Sequence, residues 1–421
     1  MINTKPSCTD INESGLLHFE QAKNNILASI PVLQDIQQIP IEQGKGRCLA
    51  ETIISPAQVP GHTNSAVDGY AIRASDLPAT KTECTLQIQD TVLAGELYTE
   101  TCLPRHCIRI MTGAPLPVGL DTVIMQEHCQ LINKSSIRID DRHKSGQNVR
   151  QAGEDIQLGA TVLTKGKMLY PADIGLLASL GISEIKVTRK LRIAIASTGD
   201  EIYGISEPVP KGGLYDSNRY SLLAALDRPD IEIINLGIIQ DQETELLKRF
   251  NEATDFADVI ISSGGVSVGE ADFTKTALKA SGDINFWKVA IKPGRPIAFG
   301  KIKQSVFFGL PGNPVAVLVT LYQFVLPALE KMLGLADKPI VPKIRARSQE
   351  SIRKRPGRTE IQRGIVSQAD TGELEVKTTG RQGSGILSSI SMANCFIILE
   401  HDRQTIAKGD WVDVQLFSSL M

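Results

Sequence analysis

The sequence lacks the motifs of several large enzyme classes. No P-loop lysine, Gly-x-Gly-x-x-Gly run, His-Glu-x-x-His or Ser-His-Asp order occurs in its 421 residues. This weakens the NTPase, dinucleotide-binding, zinc protease and serine hydrolase interpretations. Basic charge is not in excess either, since 45 Lys and Arg stand against 47 Asp and Glu, a net charge of −2. We therefore expect no nucleic-acid partner, and any cationic site must be local.

Cysteine and long apolar runs are also scarce. The seven cysteines form no Cys-x-x-Cys pair, and their odd number argues against a disulfide framework. His106-Cys107 and His128-Cys129 lack the usual spacing of zinc ligands. The N-terminus is polar, and we expect that no apolar run approaches the ~18 residues of a membrane span. These features predict a cytoplasmic protein without a membrane partner.

Hydrophobic patterning divides the chain into regions. At roughly 150 residues per domain, 421 residues predict several domains. Helical spacing marks residues 16–30, and short apolar stretches cut by Gly and Pro mark a β-rich region from about 40 to 165. From Leu191 the chain alternates strand, loop and helix, which predicts a parallel α/β sheet. Beyond a Pro-rich linker near 340, short strands predict a small C-terminal β-domain.

Acidic residues follow the predicted strands of the α/β region. The strand Leu191 to Ala196 leads to Glu201, the strand Ile231 to Ile239 leads to Asp241, and Val259 to Ile261 leads to a Gly/Ser loop. That loop contains Gly264 and Gly265 and ends in Glu270 and Asp272. Because parallel strands present their carboxyl ends at one edge, we expect the carboxylates to face one site, as Mg²⁺ requires. Alternatively, residues such as Asp241 cap the next helix.

Cations and free backbone N–H groups occur further along the chain. Lys288, Lys292 and Arg295 fall within nine residues, where two prolines restrict the backbone. Such a group is suited to an oxyanion, although it also fits a solvated charged loop. The Pro311-Gly-Asn313-Pro turn opens an apolar helix, whose free N–H groups and dipole favour an anion. In the β-rich region, the polar turns around Asp68, Thr112 and Asp155 have no distinctive signal by themselves.

Taken together, six phrases resemble the molybdopterin molybdenumtransferase (MoeA) family, which is related to the C-terminal domain of gephyrin. They are Asn64-Ser-Ala-Val-Asp-Gly-Tyr-Ala71, Met111-Thr-Gly-Ala-Pro115, Ser197-Thr-Gly-Asp-Glu201, Ser263-Gly-Gly-Val-Ser-Val-Gly-Glu-Ala-Asp272, Lys292-Pro-Gly-Arg-Pro296 and Leu310-Pro-Gly-Asn-Pro314. The resemblance runs from about Leu16 to the C-terminus. One departure is Val67, where the family usually has Met before Asp-Gly-Tyr-Ala.

The resemblance implies a multidomain α/β plus β fold in four parts. An N-terminal helical and extended domain would comprise 16–55 and 150–188, and a β-rich domain would be inserted at 56–149. A central parallel α/β domain of the molybdenum-cofactor-biosynthesis type would span 189–336. A small β-barrel-like domain would span 340–421.

The same resemblance implies that the protein inserts molybdate into adenylylated molybdopterin with Mg²⁺, and releases AMP. Its implied catalytic residues are Asp68, Thr112, Asp155, Glu201, Asp241 and Asp272, of which Glu201, Asp241 and Asp272 would bind the metal. Its implied substrate and oxyanion contacts are Lys288, Lys292, Arg295, Ser384, Arg363, Gly264, Gly265, Pro311 and Asn313.

The resemblance also implies a homodimer, with transient contacts to a molybdopterin adenylyltransferase and to molybdoenzyme chaperones. Two alternatives stay open at this point. Tungstate is a tetrahedral dianion of nearly the same size as molybdate, so the sequence does not separate the two. Because gephyrin uses this fold for partner recognition, an inactive binding or scaffolding paralogue is the other alternative.

We expect Asp272→Asn to abolish metal-dependent turnover while the protein stays folded, because the residue belongs to a loop and loses only its charge. Turnover and thermal unfolding of the purified variant check this expectation. Normal turnover would remove Asp272 from the site.

Overall fold

The computed structural model describes residues 16–264, 282–336 and 343–419. Gly265, Glu270 and Asp272 therefore lie outside the described residues. The described chain forms three six-stranded sheets and several two-stranded ones. The predicted fold class, α/β together with β, is confirmed, and each of the three six-stranded sheets combines parallel with antiparallel pairs.

The central sheet lies in the second half of the chain. Its strands, in spatial order, are Ile231–Ile239, Leu191–Thr198, Val259–Ser263, Ser305–Leu310, Pro296–Ile302 and Gly282–Lys288. The first four run parallel, as predicted, whereas Pro296–Ile302 runs antiparallel to both of its neighbours. The expected parallel sheet is therefore confirmed for four strands, and the fifth strand departs from it. The fifth strand reverses because Lys303, at a φ of 49°, turns the chain directly back after Ile302 into Ser305–Leu310, so no helical crossover separates these two strands.

Alternation along the buried strand Leu191–Thr198 explains the two layers of helices. Ile193 and Ile195 belong to the hydrophobic cluster that includes the helices Ser217–Ala225 and Pro314–Met332. Ala194 and Ala196 face the other cluster, which includes the helix Glu243–Ala253. Successive side chains of a strand point to opposite faces. A strand that is apolar on both faces is thus covered on both sides, as the unbroken apolar runs predicted.

The helix Pro314–Met332 is the core helix of this region. It is long and apolar enough to cross a membrane, but 78% of its apolar window is buried inside the protein. The expectation that no stretch approaches that length was wrong. A helix that is hydrophobic on all sides is also typical of a buried core. Within it, residues 321–325 form a π-helical turn. The N-terminal helix Phe19–Ser29 packs here, with Phe19 edge-on to Phe324 at 5.3 Å.

Two segments that are far apart in the chain, residues 36–54 and 161–188, form a region that precedes the central sheet. The strand Ile36–Pro40 is antiparallel to Glu184–Thr188, and Ile53–Ile54 is antiparallel to Thr161–Leu163. The helix Pro171–Ser179 packs with them around a separate apolar core. The predicted domain bounds stay a prediction.

The region between these two segments is β-rich. Its six-stranded sheet contains, in spatial order, Thr122–Met125, Gly69–Ile72, His106–Ile110, Cys84–Val92, Ser136–Ile139 and Gln130–Asn133. A short antiparallel pair, Asn64–Ser65 with Val149–Arg150, brings together the chain segments that precede and follow this sheet. Apolar clusters cover both faces of the sheet.

The C-terminal region is a closed five-stranded barrel. Its strands, in the order in which they pair, are Thr359–Gln368, Leu374–Thr378, Ile344–Ser348, Trp411–Leu416 and Cys395–Leu399. Cys395–Leu399 pairs back with Thr359–Gln368 and closes the barrel. The short helix Leu387–Ser391 follows a loop. The backbone of Ile291–Lys292 adds in parallel to Thr359 and Glu360, so the central region and the barrel share a hydrogen-bonded ladder.

Asp258 connects the start of a central strand to two arginines. It accepts hydrogen bonds from Arg189 Nη1 and Nη2 at 2.7 and 2.9 Å, and from the N–H of Arg192 at 2.9 Å. Burial by itself would raise the pKa of Asp258, but these hydrogen bonds and the positive charges lower it further than burial raises it. The folded state therefore favours the ionised carboxylate.

We expect Asp258→Asn to lower the free energy of unfolding at pH 7 by about 2 kcal/mol, because a charge-assisted hydrogen bond is replaced by weaker ones. The pKa of Asp258 is lower in the folded state than in the unfolded state. The stabilisation is therefore fully present at pH values above the unfolded-state pKa of about 3.9, and it is lost as the pH falls through the folded-state pKa. Denaturant unfolding between pH 3 and 7 should show the free energies of unfolding of the wild type and of Asp258→Asn becoming equal as the pH falls. Asp255→Asn, at a side chain that is 75% exposed, is the matched control. A pH-independent difference would contradict the assignment.

Candidate functional site

The carboxyl edge of the central sheet carries the first group of predicted site residues. Glu201 and Asp241 follow neighbouring parallel strands. Their loops touch, since the backbone N–H of Asp241 donates to Asp200 Oδ1 at 3.1 Å. Glu201 is exposed and Asp241 is half-buried. The structure thus brings two of the three predicted acidic loops together, and the third ends at Asp272, outside the described residues.

A buried ionic network fixes the start of the helix Ser217–Ala225 to the carboxyl edge of the central sheet. Asp216 Oδ1 accepts from Ser197 Oγ at 2.8 Å, and its Oδ2 accepts from Arg219 Nε at 2.7 Å. Arg219 Nη1 continues to Asn235 Oδ1 at 2.9 Å. The sequence pattern at residues 217–226 predicts only a helix, and nothing in it predicted this network. An Asp directly before an apolar helix was the available signal, because it is typical of an N-cap.

Asn218 joins three loops at the same edge. Its Nδ2 donates to Ser263 Oγ at 2.8 Å and to the carbonyl of Gly312 at 2.7 Å. With both N–H groups used, its Oδ1 is left as a buried acceptor that has no partner within the described residues, and Thr198 Oγ1 is in the same situation. Buried polar atoms are nearly always hydrogen-bonded. These two oxygens can therefore accept N–H or O–H groups of a bound ligand.

Gly264 sits where only glycine fits. Its φ is +92°, and a Cβ there would lie 2.4 Å from the carbonyl oxygen of Thr198. Its N–H donates to the carbonyl of Leu310 at 3.1 Å, directly before the turn at residues 311–314. The structure thus places Gly264, at the start of the predicted glycine loop, beside the turn that contains Pro311 and Asn313. Gly265 is the next residue but lies outside the described residues.

The predicted cations lie between the central sheet and the barrel. Lys292 Nζ contacts Glu360 Oε2 of the barrel at 3.2 Å. Lys288 is exposed at the end of its strand, and its carbonyl accepts the N–H of Leu17 at 2.9 Å. Arg295 is half-buried at the start of the adjoining strand. The cationic segment is therefore fixed by backbone contacts at both ends.

The barrel reaches the same area through a loop. The carbonyl of Ser384 accepts the N–H of Val315 at 3.1 Å, so Ser384 lies at the start of the core helix. Arg363 is buried, and its guanidinium donates to Ser389 Oγ at 3.0 Å and to the carbonyl of Gly383 at 2.9 Å, with longer contacts to residues 381 and 382. Burial lowers its pKa to about 10. In this structure, Arg363 holds the loop that carries Ser384.

Asp68 and Thr112 come together in the β-rich region. Asp68 Oδ1 accepts from the N–H of Thr112 at 2.8 Å and from its Oγ1 at 2.7 Å. These side-chain and backbone hydrogen bonds lower the pKa of Asp68 from its usual value. Asp155 is exposed, and its N–H donates to the carbonyl of Val59 at 3.1 Å. Asp68 is thus an ionised, oriented carboxylate at neutral pH.

Three family models match successive parts of the chain. The MoeA N-terminal region (domain I and II) matches residues 17–181, the probable molybdopterin binding domain matches 194–331, and the MoeA C-terminal region (domain IV) matches 345–417. A molybdopterin molybdenumtransferase of Haemophilus influenzae is 41% identical over 406 residues, which cover 96% of this chain and 100% of that protein. This chain belongs to the MoeA family.

Other relatives agree with this membership. A gephyrin of Dictyostelium discoideum is 31% identical, and the match covers 98% of this chain and 62% of that protein. A crystal structure of a molybdopterin biosynthesis MoeA protein from Pyrococcus horikoshii has 29% identity and a TM-score of 0.83. That match covers 96% of this chain and all of the other. The predicted resemblance is confirmed.

The MoeA-family site fits a hard cation only in part within the described residues. In that part of the chain, no group of three or more His, Cys, Asp or Glu side chains is placed to hold a metal. Glu201 and Asp241 nevertheless offer carboxylate oxygens from adjoining loops, which is the donor chemistry that Mg²⁺ prefers. With Asp272 they would complete the predicted set. The metal and site roles of these residues remain predictions.

We expect Arg363→Met to speed amide exchange in residues 381–386, because three carbonyls of this MoeA-family loop and the Ser389 hydroxyl lose their donor. A hydrogen bond to a charged group contributes about 1.5–3 kcal/mol. The variant should therefore also unfold at a lower temperature than the wild type. Hydrogen exchange followed by mass spectrometry shows which residues exchange faster and by how much. Arg345→Met is the control, since that arginine is 62% exposed and 3.6 Å from Asp413. Equal exchange in both variants would rule out the anchoring role.

Proposed function

We propose that this chain is a molybdopterin molybdenumtransferase that inserts molybdate into adenylylated molybdopterin and releases AMP. The observation that carries the proposal is the 41% identity, over nearly the whole chain, to a curated relative of that name. The acidic sheet edge, the glycine loop and the cationic segment that the reaction needs are all present in this sequence.

The chemistry of the site supports this proposal. Cleaving a phosphoanhydride depends on charge neutralisation and positioning more than on a protein nucleophile. Glu201, Asp241 and Asp272 would hold Mg²⁺, which when bound neutralises the charge of the phosphates. Asp68 stays ionised because Thr112 donates two hydrogen bonds to it. It therefore acts as a hydrogen-bond acceptor for the substrate and not as a general acid.

The remaining residues divide between the two substrates. Asn218 Oδ1 and Thr198 Oγ1 are buried acceptors for ligand N–H groups. Gly312, where a Cβ would meet nothing within 4 Å, lets a ligand approach the backbone of the turn at 311–314 closely. Lys288, Lys292, Arg295 and Ser384 provide the positive charge and donors for the oxyanion, a tetrahedral dianion.

Assembly and location also belong to this proposal. We infer a cytoplasmic homodimer that receives adenylylated molybdopterin from an adenylyltransferase and passes its product to molybdoenzyme chaperones. Molybdate is the proposed oxyanion, and tungstate, of nearly the same size, is the alternative.

The test is AMP release from adenylylated molybdopterin by the purified protein, with Mg²⁺ and molybdate omitted in turn. We expect release to require both ions. Replacing molybdate by tungstate decides between the two oxyanions. If substrate binds but no AMP appears under any condition, the chain is an inactive binding paralogue.

Lys292→Ala should raise the molybdate concentration that gives half-maximal AMP release by about tenfold, with a smaller effect on the maximal rate. One charge-assisted contact to the oxyanion is lost, and about 1.4 kcal/mol corresponds to tenfold. An unchanged molybdate dependence would remove Lys292 from the oxyanion site.

A further inference from the structure

Lys292 already has an anionic partner in the structure. Glu360 Oε2 lies 3.2 Å from Lys292 Nζ, and the Glu360 side chain is 6% exposed while that of Lys292 is 50% exposed. The two residues face each other across the parallel backbone bridge between residues 291–292 and 359–360. The ammonium is thus accessible to solvent on one side and neutralised by a buried carboxylate on the other.

Glu360 is held in place by its neighbours. Gln362 Nε2 donates to the same Oε2 at 3.2 Å. Lys354 is buried nearby, and its Nζ donates to the carbonyls of Arg355 at 2.7 Å and of His401 at 3.3 Å. Burial lowers the pKa of Lys354, and attraction to Glu360 opposes that shift. Because Lys354 is fixed by two carbonyls and Gln362 by the strand, the carboxylate cannot move away freely.

We propose that Glu360 sets the affinity of the oxyanion site by competing with the substrate anion for the Lys292 ammonium. This inference rests on the proposed function, in which Lys292 contacts the oxyanion. An arriving dianion must share the ammonium with the carboxylate, and it is repelled by the negative charge a few ångströms away. Both effects weaken binding. The site therefore holds the oxyanion reversibly until it is transferred.

A purely supporting role for Glu360 has the opposite consequence. If the carboxylate only oriented Lys292 toward the oxyanion, neutralising it would release the lysine and weaken binding. The sign of the change in affinity therefore separates competition from orientation.

The experiment is calorimetric titration of molybdate into the full-length wild-type protein and Glu360→Gln. Removing one unit charge near a bound dianion should lower the molybdate dissociation constant about tenfold, the size expected for ~1.4 kcal/mol of repulsion. In the Lys292→Ala background, the same substitution should improve binding clearly less, because the ammonium for which the two anions compete is gone. Equal gains in both backgrounds would overturn the competition.

Two further variants serve as a control and as a substitute. Glu373→Gln removes one carboxylate from the same barrel, at an exposed pair with Arg347 at 3.0 Å, and should leave molybdate affinity unchanged. If Glu360→Gln does not fold, Glu360→Asp decides, because the shorter side chain withdraws from Lys292 and should also tighten binding.

The outcomes separate the two proposals. Wild-type binding of molybdate, together with unchanged or weaker binding by Glu360→Gln, overturns the role of Glu360 and leaves the proposed function intact. A wild-type protein that binds no molybdate overturns both.

Discussion

The buried ion pair between Asp216 and Arg219 is the interaction on which the site depends. Both side chains are almost removed from solvent, so neither charge is stable without the other. Through Ser197 the pair holds the end of a central strand, and the following Asn218 reaches the loops after two further strands. One ionic contact thus fixes the spacing of the loops that meet at the sheet edge. Breaking a buried pair of this kind typically costs about 3–5 kcal/mol.

A second set of buried charges lies where the barrel meets the central region. Glu360, Lys354 and Arg363 are each buried. The Arg363 guanidinium donates to a loop, the Lys354 ammonium donates to two carbonyls, and the Glu360 carboxylate faces Lys292 of the cationic segment. Burying such groups is costly unless each is hydrogen-bonded. Their satisfied contacts explain why the barrel can present one loop and one carboxylate at fixed positions.

Regular elements were well predicted where the apolar period was long. The strand Ile231–Ile239 has the predicted bounds, and the strands that begin at Leu191 and Val259 each extend two residues beyond the predicted end. No strand was predicted for Gly282–Lys288 or Pro296–Ile302, which form two antiparallel strands on either side of the cationic segment. Pairing with the buried strand Ser305–Leu310 supplies the stabilisation that local propensity does not. Similarly, the Asp216 network was missed because its members are 19 and 16 residues from their partners.

The sequence by itself determined the family, the fold class and the kinds of side chain at the site, because six short phrases and the alternation of strand and helix are local properties. It also placed Glu201 and Asp241 at one sheet edge, since parallel strands end together. Only the tertiary structure decided which groups are already paired. Lys292 meets Glu360 across 68 residues, and Arg363 is buried against its own barrel. Partners so far apart in the chain are selected by packing, and packing has no local signal.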